Sequence, residues 1–323
     1  MRENKVVYGL IGYGGMGRWH TEILSNVSEA VIGGIYDIKK EKREEAKEKG
    51  FFVYETEEAM LADPDIDVVL IATPNDCHKP IAIRAMHAGK NVISEKPVTL
   101  SSADLLEMEH AAKETGKLLT VHQNRRWDDD FLIIKKLVEE QKLGHVFRIE
   151  SRVHGSRGIP GDWRKEKVHG GGMVLDWGVH LLDQILYMYG DRKIETVYAS
   201  LTNVTNQEVD DGFTAILTFE GGTEVLVEVG TNNYISLPRW YVLGEDGTAV
   251  IRDWQLNGEI IRKTGRTEET VVPVKTAAGL TKTMAPRRED TIVKEDLPKV
   301  SGDIADFHRN VVAVIRDGAC LLY

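Results

Sequence analysis

The sequence predicts an α/β protein in two parts: a doubly wound parallel sheet over residues 1–123 and an α+β unit with a large, mostly antiparallel sheet over 124–323. Three observations predict it. The first 122 residues alternate short apolar runs with longer amphipathic ones. A glycine-rich turn sits between the first apolar run and the first amphipathic one. Beyond about residue 200 the chain becomes strand-rich, with glycine pairs between alternating runs.

In the first part, strands are expected at 6–11, 31–36, 51–54, 68–72, 91–94 and 118–121. One helix carries the charges of 39–49 and ends at Gly50; another runs over 78–88 and ends at Gly89. A third opens at Ser101, with Asp104 three residues on as its capping partner, and stops at Gly116. Strands separated by helices make a parallel sheet covered on both faces. After residue 123 the pattern changes. A helix over 128–140 has acids in its first turn, where they favour the helix dipole. Then come an alternating run over 146–153, a glycine-rich loop over 155–172 and a helix over 174–189. Runs at 213–219 and 223–229 flank Gly221-Gly222, and runs at 240–243 and 249–251 flank Asp246-Gly247, which are hairpin signals. The polar stretch 275–299 reads as a surface excursion.

Composition narrows the function. Hydrophobic residues make up 42% and charged residues 28% of 323, ordinary for a globular protein and long enough for two domains. A net charge of −10 disfavours nucleic acid and anionic membranes as partners, since both need a positive field. Two cysteines, Cys77 and Cys320, make no disulfide framework. No apolar run spans a bilayer and no leader precedes the first strand, so a cytoplasmic enzyme is expected.

Four motifs carry chemistry. Gly12-Tyr13-Gly14-Gly15-Met16-Gly17 follows a strand and opens a helix, so its backbone can approach a pyrophosphate at the helix N-terminus. Asp37 ends the second strand, where a carboxylate accepts ribose hydroxyls. A tight turn with a surface aspartate would look similar; strand, glycines, helix, strand and acid in that order favour a dinucleotide site of the Rossmann kind. Thr73-Pro74-Asn75, with His78 opening the next helix, and Glu95-Lys96-Pro97 end two further strands on the same edge. Thr73, Pro74, Asn75, His78, Glu95 and Lys96 are therefore expected beside the cofactor, although a plain strand-to-helix turn and a surface ion pair also fit. A partly buried Lys96 could hydrogen-bond a substrate hydroxyl and ease alkoxide formation. Fourth, Asp176 and His180 lie four apart on a helix, with Asp183 one turn on. A histidine poised by a carboxylate can remove a hydroxyl proton near neutral pH, while an exposed polar face is the plainer alternative. A metal at Asp176, His180 and His169 finds no support in an HExxH or a cysteine cluster, and none is expected.

Together with Asn124-Arg125-Arg126-Trp127-Asp128 and the ending at 307–322, these motifs resemble the Gfo/Idh/MocA oxidoreductases (glucose–fructose oxidoreductase, inositol dehydrogenase and relatives) in order and spacing. The resemblance implies hydride transfer between NAD, or NADP, and a sugar, inositol or related polyol. It implies that Lys96 and Asp176 bind and polarise the reacting hydroxyl and that His180 is the acid–base group. It also implies a homodimer or homotetramer built through the sheets. In relatives the segment like 319–323 continues into a long helix, which puts domain docking at this end in question. Substrate contacts are expected from Arg126, His154, Trp163 and Arg164. The alternative function is a non-catalytic NAD-binding sensor of the same fold, which would not need Lys96, Asp176 and His180 together. Apolar side chains on both faces of 213–219 and 223–229 predict a second, partner-covered sheet face.

Overall fold

The computed structural model describes residues 4–265 and 271–322. Strands β1 (Val6–Ile11), β2 (Ala30–Tyr36), β3 (Val68–Ile71), β4 (Asn91–Glu95) and β5 (Leu119–His122) form a parallel sheet in the order β2-β1-β3-β4-β5. The helices are α1 (Gly15–Leu24), α2 (Lys40–Glu48), α3 (Glu57–Ala62), α4 (His78–His87) and α5 (Ser102–Thr115). Every residue of β1 and β3 is buried, as strands covered on both faces require. Ser101 caps α5 by accepting from the Asp104 N–H at 3.2 Å, and Gly116 ends it in the left-handed conformation.

The strand expected at 51–54 is instead one bridge, Val53 beside Ile35. Ile35 donates to the Phe52 carbonyl and accepts from the Tyr54 N–H, both at 2.9 Å, and Thr56 then caps α3. What the segment contributes is a ring: a side chain on Gly34 would meet Tyr54 at 2.4 Å, so the glycine lets that ring lie on β2.

Helix α6 (Asp129–Glu139) leads into β6 (Val146–His154), then α7 (Val179–Tyr189) and strands β7 (Ile194–Thr202), β8 (Gly212–Phe219), β9 (Glu224–Gly230), β10 (Trp240–Gly244), β11 (Gly247–Ile251) and β12 (Gly258–Lys263). The region expected to be an irregular excursion holds a small hairpin, β13 (Val274–Thr276) with β14 (Gly279–Thr281), and a further strand, β15 (Ile292–Glu295). β15 pairs with β12 because Glu295 reaches both Arg262 at 2.7 Å and Lys142 at 2.7 Å, fixing that polar run to the edge. The resulting sheet of eight strands has the order β15-β12-β11-β10-β6-β9-β8-β7, antiparallel except for β6 beside β9.

One face of this sheet carries Val225, Val227, Val229, Phe213 and Trp240 into a core with Phe131 and Ile134 of α6 and Leu181 and Ile185 of α7. The other face differs from the expected apolar surface. Arg148, Glu150, Arg152, Glu224 and Glu228 form a ladder of ion pairs there, and the register sets Ile216 between Tyr198 and Leu226 as a narrow apolar stripe. Strand alternation allowed either outcome, because long charged side chains at every second residue pair across β6 and β9.

The last helix, α8 (Ala305–Asp317), belongs to the 124–323 stretch but returns to the first sheet. Its Phe307, Val311 and Val312 pack with Tyr8, Leu24 and Ile93 of the first sheet, so the end of the chain returns to the dinucleotide-type half. No described helix is long and apolar enough to cross a membrane.

Candidate active site

The order of the first sheet reverses at β1 and β3, and the crevice of such a sheet lies beyond the carboxyl ends of its strands there. The glycine turn occupies that position. Gly12 has φ +97°, and a side chain on it would meet the Ala72 carbonyl oxygen at 2.5 Å, so only glycine joins β1 to α1 this closely to β3. A side chain on Gly17 would strike the Gly12 carbonyl oxygen at 2.1 Å. Gly14 and Gly15 face open space within 4 Å, which leaves the backbone at the α1 N-terminus free for the close approach of a pyrophosphate. These features fit a dinucleotide. Met16 is exposed on the same turn. Asp37, just past β2, accepts from the Tyr13 N–H at 2.7 Å and the Lys39 N–H at 2.8 Å, which aims its carboxylate at the turn.

Several other residues expected beside the cofactor are bonded within the protein. The Tyr13 ring is buried in the core against Phe51. Asn75 is buried and donates to the Gly170 carbonyl at 3.2 Å, tying the end of β3 to the glycine-rich loop of the second half. His78 is wholly buried between the Thr73 and Pro97 carbonyls at 3.0 and 2.9 Å; burial lowers its pKa, and a neutral ring can donate to only one of them. Thr73 and Pro74 stay at the surface of the turn. Glu95 points away from the crevice, into the sheet's interior, where its Oε1 faces His20 Nε2 at 2.7 Å and His122 Nδ1 at 2.9 Å. Burial alone would raise its pKa, yet the two imidazoles hold it well below the usual carboxylate range. Sequence adjacency to Lys96 suggested a surface pair, but strand alternation sends the two side chains to opposite sides.

Lys96 does reach across to the second half. Its Nζ donates to the Asp176 carbonyl at 3.0 Å and to Asp176 Oδ1 at 3.2 Å, and both side chains are largely buried. Asp176 Oδ2 accepts from Arg164 Nε at 3.2 Å. Asp176 stands in a π-helical turn, Val174–Gly178, that precedes α7, and Gly178 lets this turn press on Phe213, which a side chain would meet at 2.9 Å. The wider turn changes the expected geometry. Among the described residues no hydrogen bond joins Asp176 to His180; the carboxylate serves Lys96 and Arg164 instead. His180 is 4% exposed, its ring 5.8 Å from Trp177, and its Nδ1 has no hydrogen-bond partner. Burial, then the positive charges of Lys96 and Arg125, push its pKa well below the ordinary value, against a smaller opposing pull from Glu95. A neutral, dry imidazole is a proton acceptor. Asp183 turns elsewhere, to a bidentate pair with Arg126 at 2.7 and 2.6 Å.

Next to Asp176 opens a cavity of about 440 Å³ lined by Arg125, His154, Asp176, Trp177, Thr231 and Trp254, among others. Of the expected substrate contacts, His154 lines it, donating to Glu228 at 3.1 Å and accepting from the Leu237 N–H at 3.2 Å. Arg164 stands behind Asp176. Arg126 is occupied by Asp183 and Tyr187, and Trp163 stacks on Arg164 at 4.6 Å, so neither faces the cavity. Sequence reasoning passed over Arg125, whose guanidinium lies 4.2 Å from the Trp177 ring and 5.5 Å from that of Trp254. It sits beside Arg126 in the same short 3-10 turn and pairs with Asp128 at 2.9 Å, so the turn's rotation sends one arginine to the cavity and the other to Asp183.

Comparison with known proteins agrees with this geometry. Residues 6–123 match the family model described as the oxidoreductase family with NAD-binding Rossmann fold, and residues 131–250 match the GFO/IDH/MocA C-terminal domain. The chain belongs to the Gfo/Idh/MocA oxidoreductase family. Its relatives include scyllo-inositol 2-dehydrogenase (NADP(+)) IolW of Bacillus subtilis, 29% identical over 97% of this chain and 87% of the relative. Myo-inositol 2-dehydrogenase of Thermotoga maritima is 30% identical over 66% of this chain and 65% of that protein. Among solved structures, an NAD-binding protein from Listeria innocua superposes with a TM-score of 0.93 at 50% identity, covering 98% of this chain and 91% of that one. The protein is thus an oxidoreductase of this family with an NAD-binding Rossmann half and a large, mostly antiparallel second sheet.

Proposed function

We propose that the protein is a dehydrogenase that oxidises one CH–OH carbon of an inositol, sugar or glycoside, with NAD as the preferred cofactor. One observation carries the reading: Lys96, just past β4 in the half that holds the glycine turn, pairs with Asp176, which lines the 440 Å³ cavity, and a neutral, buried His180 follows four residues on. A dinucleotide held at the Gly12–Gly17 turn and Asp37 would supply the hydride acceptor. The chain's own groups handle the rest. Lys96 and Asp176 hold the reacting hydroxyl, Lys96 stabilises the oxygen as negative charge develops, and His180 takes the hydroxyl proton. Arg125, His154, Trp177 and Trp254 present a mixed polar and aromatic wall suited to a polyhydroxy ring. Two relatives carry inositol dehydrogenase in their names, which supports a cyclic polyol as the first substrate to try.

Asp37 supports NAD, since its carboxylate repels a 2′-phosphate by roughly 4 kcal/mol at 4 Å and an effective dielectric near 20, before solvent screening. Lys39 and Lys40 are its near neighbours in sequence and offset part of this. The narrow apolar stripe and charge ladder on the open sheet face support a homodimer through that face.

A screen of inositols, sugars and glycosides with NAD, following the near-ultraviolet absorbance of NADH, tests the function. Cofactor reduction by at least one polyol is expected. NADH binding without oxidation of any of them would favour a sensor.

A further inference from the structure

Behind the crevice, on the far side of β4 from Lys96, three imidazoles meet in the interior. His20 comes from α1, His122 from β5 and His308 from α8, and all three are fully buried. One nitrogen of each lies within 4.8 Å of the others. Glu95 sets the tautomers. A carboxylate only accepts, so His20 Nε2 and His122 Nδ1, at 2.7 and 2.9 Å from Glu95 Oε1, carry their hydrogens toward it. That leaves lone pairs on His20 Nδ1 and His122 Nε2. His20 Nδ1 faces His308 Nε2 at 3.3 Å, and His122 Nε2 and His308 Nδ1 are buried with no partner at all.

We propose that His20, His122 and His308 form a binding site for a divalent transition metal of the zinc class, with Glu95 as the outer carboxylate that orients two of the ligands. Three facts carry it. Imidazole nitrogens suit such ions, and a carboxylate accepting the second ring N–H is the usual partner of a ligating histidine. Nitrogens at about 2.0–2.1 Å from a tetrahedral ion stand roughly 3.3 Å apart, the separation of His20 and His308 here, and His122, within 4.8 Å of both, closes by a ring movement of at most about 1.5 Å. The unpartnered His122 Nε2 is costly in a dry interior and gains a partner from an ion. Bound metal pins α8 to α1 and β5, stapling the end of the chain to the cofactor half.

The test uses the untagged full chain, produced in zinc-supplemented medium and desalted, with metal measured by elemental mass spectrometry. The expected content is about one zinc per chain, falling at least tenfold in both His122→Gln and His308→Gln. The wild-type chain refolded with cobalt(II) should show the intense visible bands of a four-coordinate, nitrogen-ligated ion, which keeps the test decisive if the variants fold poorly. Less than half an equivalent of zinc with no such bands, or metal retained by both variants, overturns the proposal. Either result leaves the dehydrogenase reading standing, because no residue of this cluster touches the 440 Å³ cavity.

Discussion

His180 titrates under three influences. Burial removes water from the imidazolium, Lys96 and Arg125 repel it, and Glu95 attracts it more weakly while His122 adds to the repulsion. The sum lowers its pKa, so the acid limb of kcat/KM should fall below the ordinary histidine value of about 6.5. The sign for stability follows from the same shift. Above about 6.5 neither state is protonated; as the pH drops, the unfolded chain takes up a proton that the folded one resists, so stability falls from there down to the folded pKa. A pH–rate profile on the best substrate checks the first statement, and an acid limb at or above 6.5 contradicts it. Asp37 makes a separate prediction. Asp37→Ala should move the ratio of catalytic efficiencies toward NADP by about tenfold, near 1.4 kcal/mol, and an unchanged ratio would remove the residue from cofactor choice. The places of Asp37 and His180 could be read from the sequence because each sits at a fixed offset from a strand end or helix turn, while their roles rest on the proposal. That of Arg125 could not, since nothing in the run Asn124 to Asp128 says which arginine the 3-10 turn rotates inward. Nor was the direction of Glu95 read correctly, though alternation from Ser94 to Lys96 contained it.

The join between β1 and α1 allows a paired test. Gly17→Ala places a carbon 2.1 Å from the Gly12 carbonyl, so α1 must shift; overpacking of this kind costs about 1–3 kcal/mol and should lower both the melting temperature and NADH affinity. Gly14→Ala meets nothing within 4 Å and has a backbone conformation open to alanine, so the melting temperature should hold while NADH affinity falls. Calorimetry with NADH titration separates the two, and equal melting losses would contradict the roles assigned to these glycines. Elements with strong punctuation were legible: α5 between Ser101 and Gly116, and the hairpin at Gly221-Gly222. The segment around Val53 was not, because an apolar run that covers β2 with a ring has the same composition as one that pairs along it. β15 was hidden for the opposite reason, since its partners Arg262 and Lys142 lie far away in sequence.

At the scale of the whole molecule, the chain crosses between its halves more than once. Asn75 hydrogen-bonds Gly170, Lys96 holds Asp176, and α8 closes the core of the first sheet. A boundary drawn at 124 captured the change of sheet and missed that return, because an amphipathic helix carries no mark of which sheet it will cover. The open face of the second sheet makes the assembly prediction: Leu226→Glu, within the apolar stripe, should shift light-scattering mass toward a single chain, and an unchanged mass would exclude that stripe from the contact. The central claim is that this two-sided construction performs hydride transfer with His180 as the proton acceptor. Single-turnover reduction of NAD by the best polyol, wild type against His180→Ala, tests it most directly. The account predicts a rate lower by roughly 10²–10⁴ with NADH affinity unchanged, since the histidine stands on the second half, and a variant as fast as the wild type would contradict it.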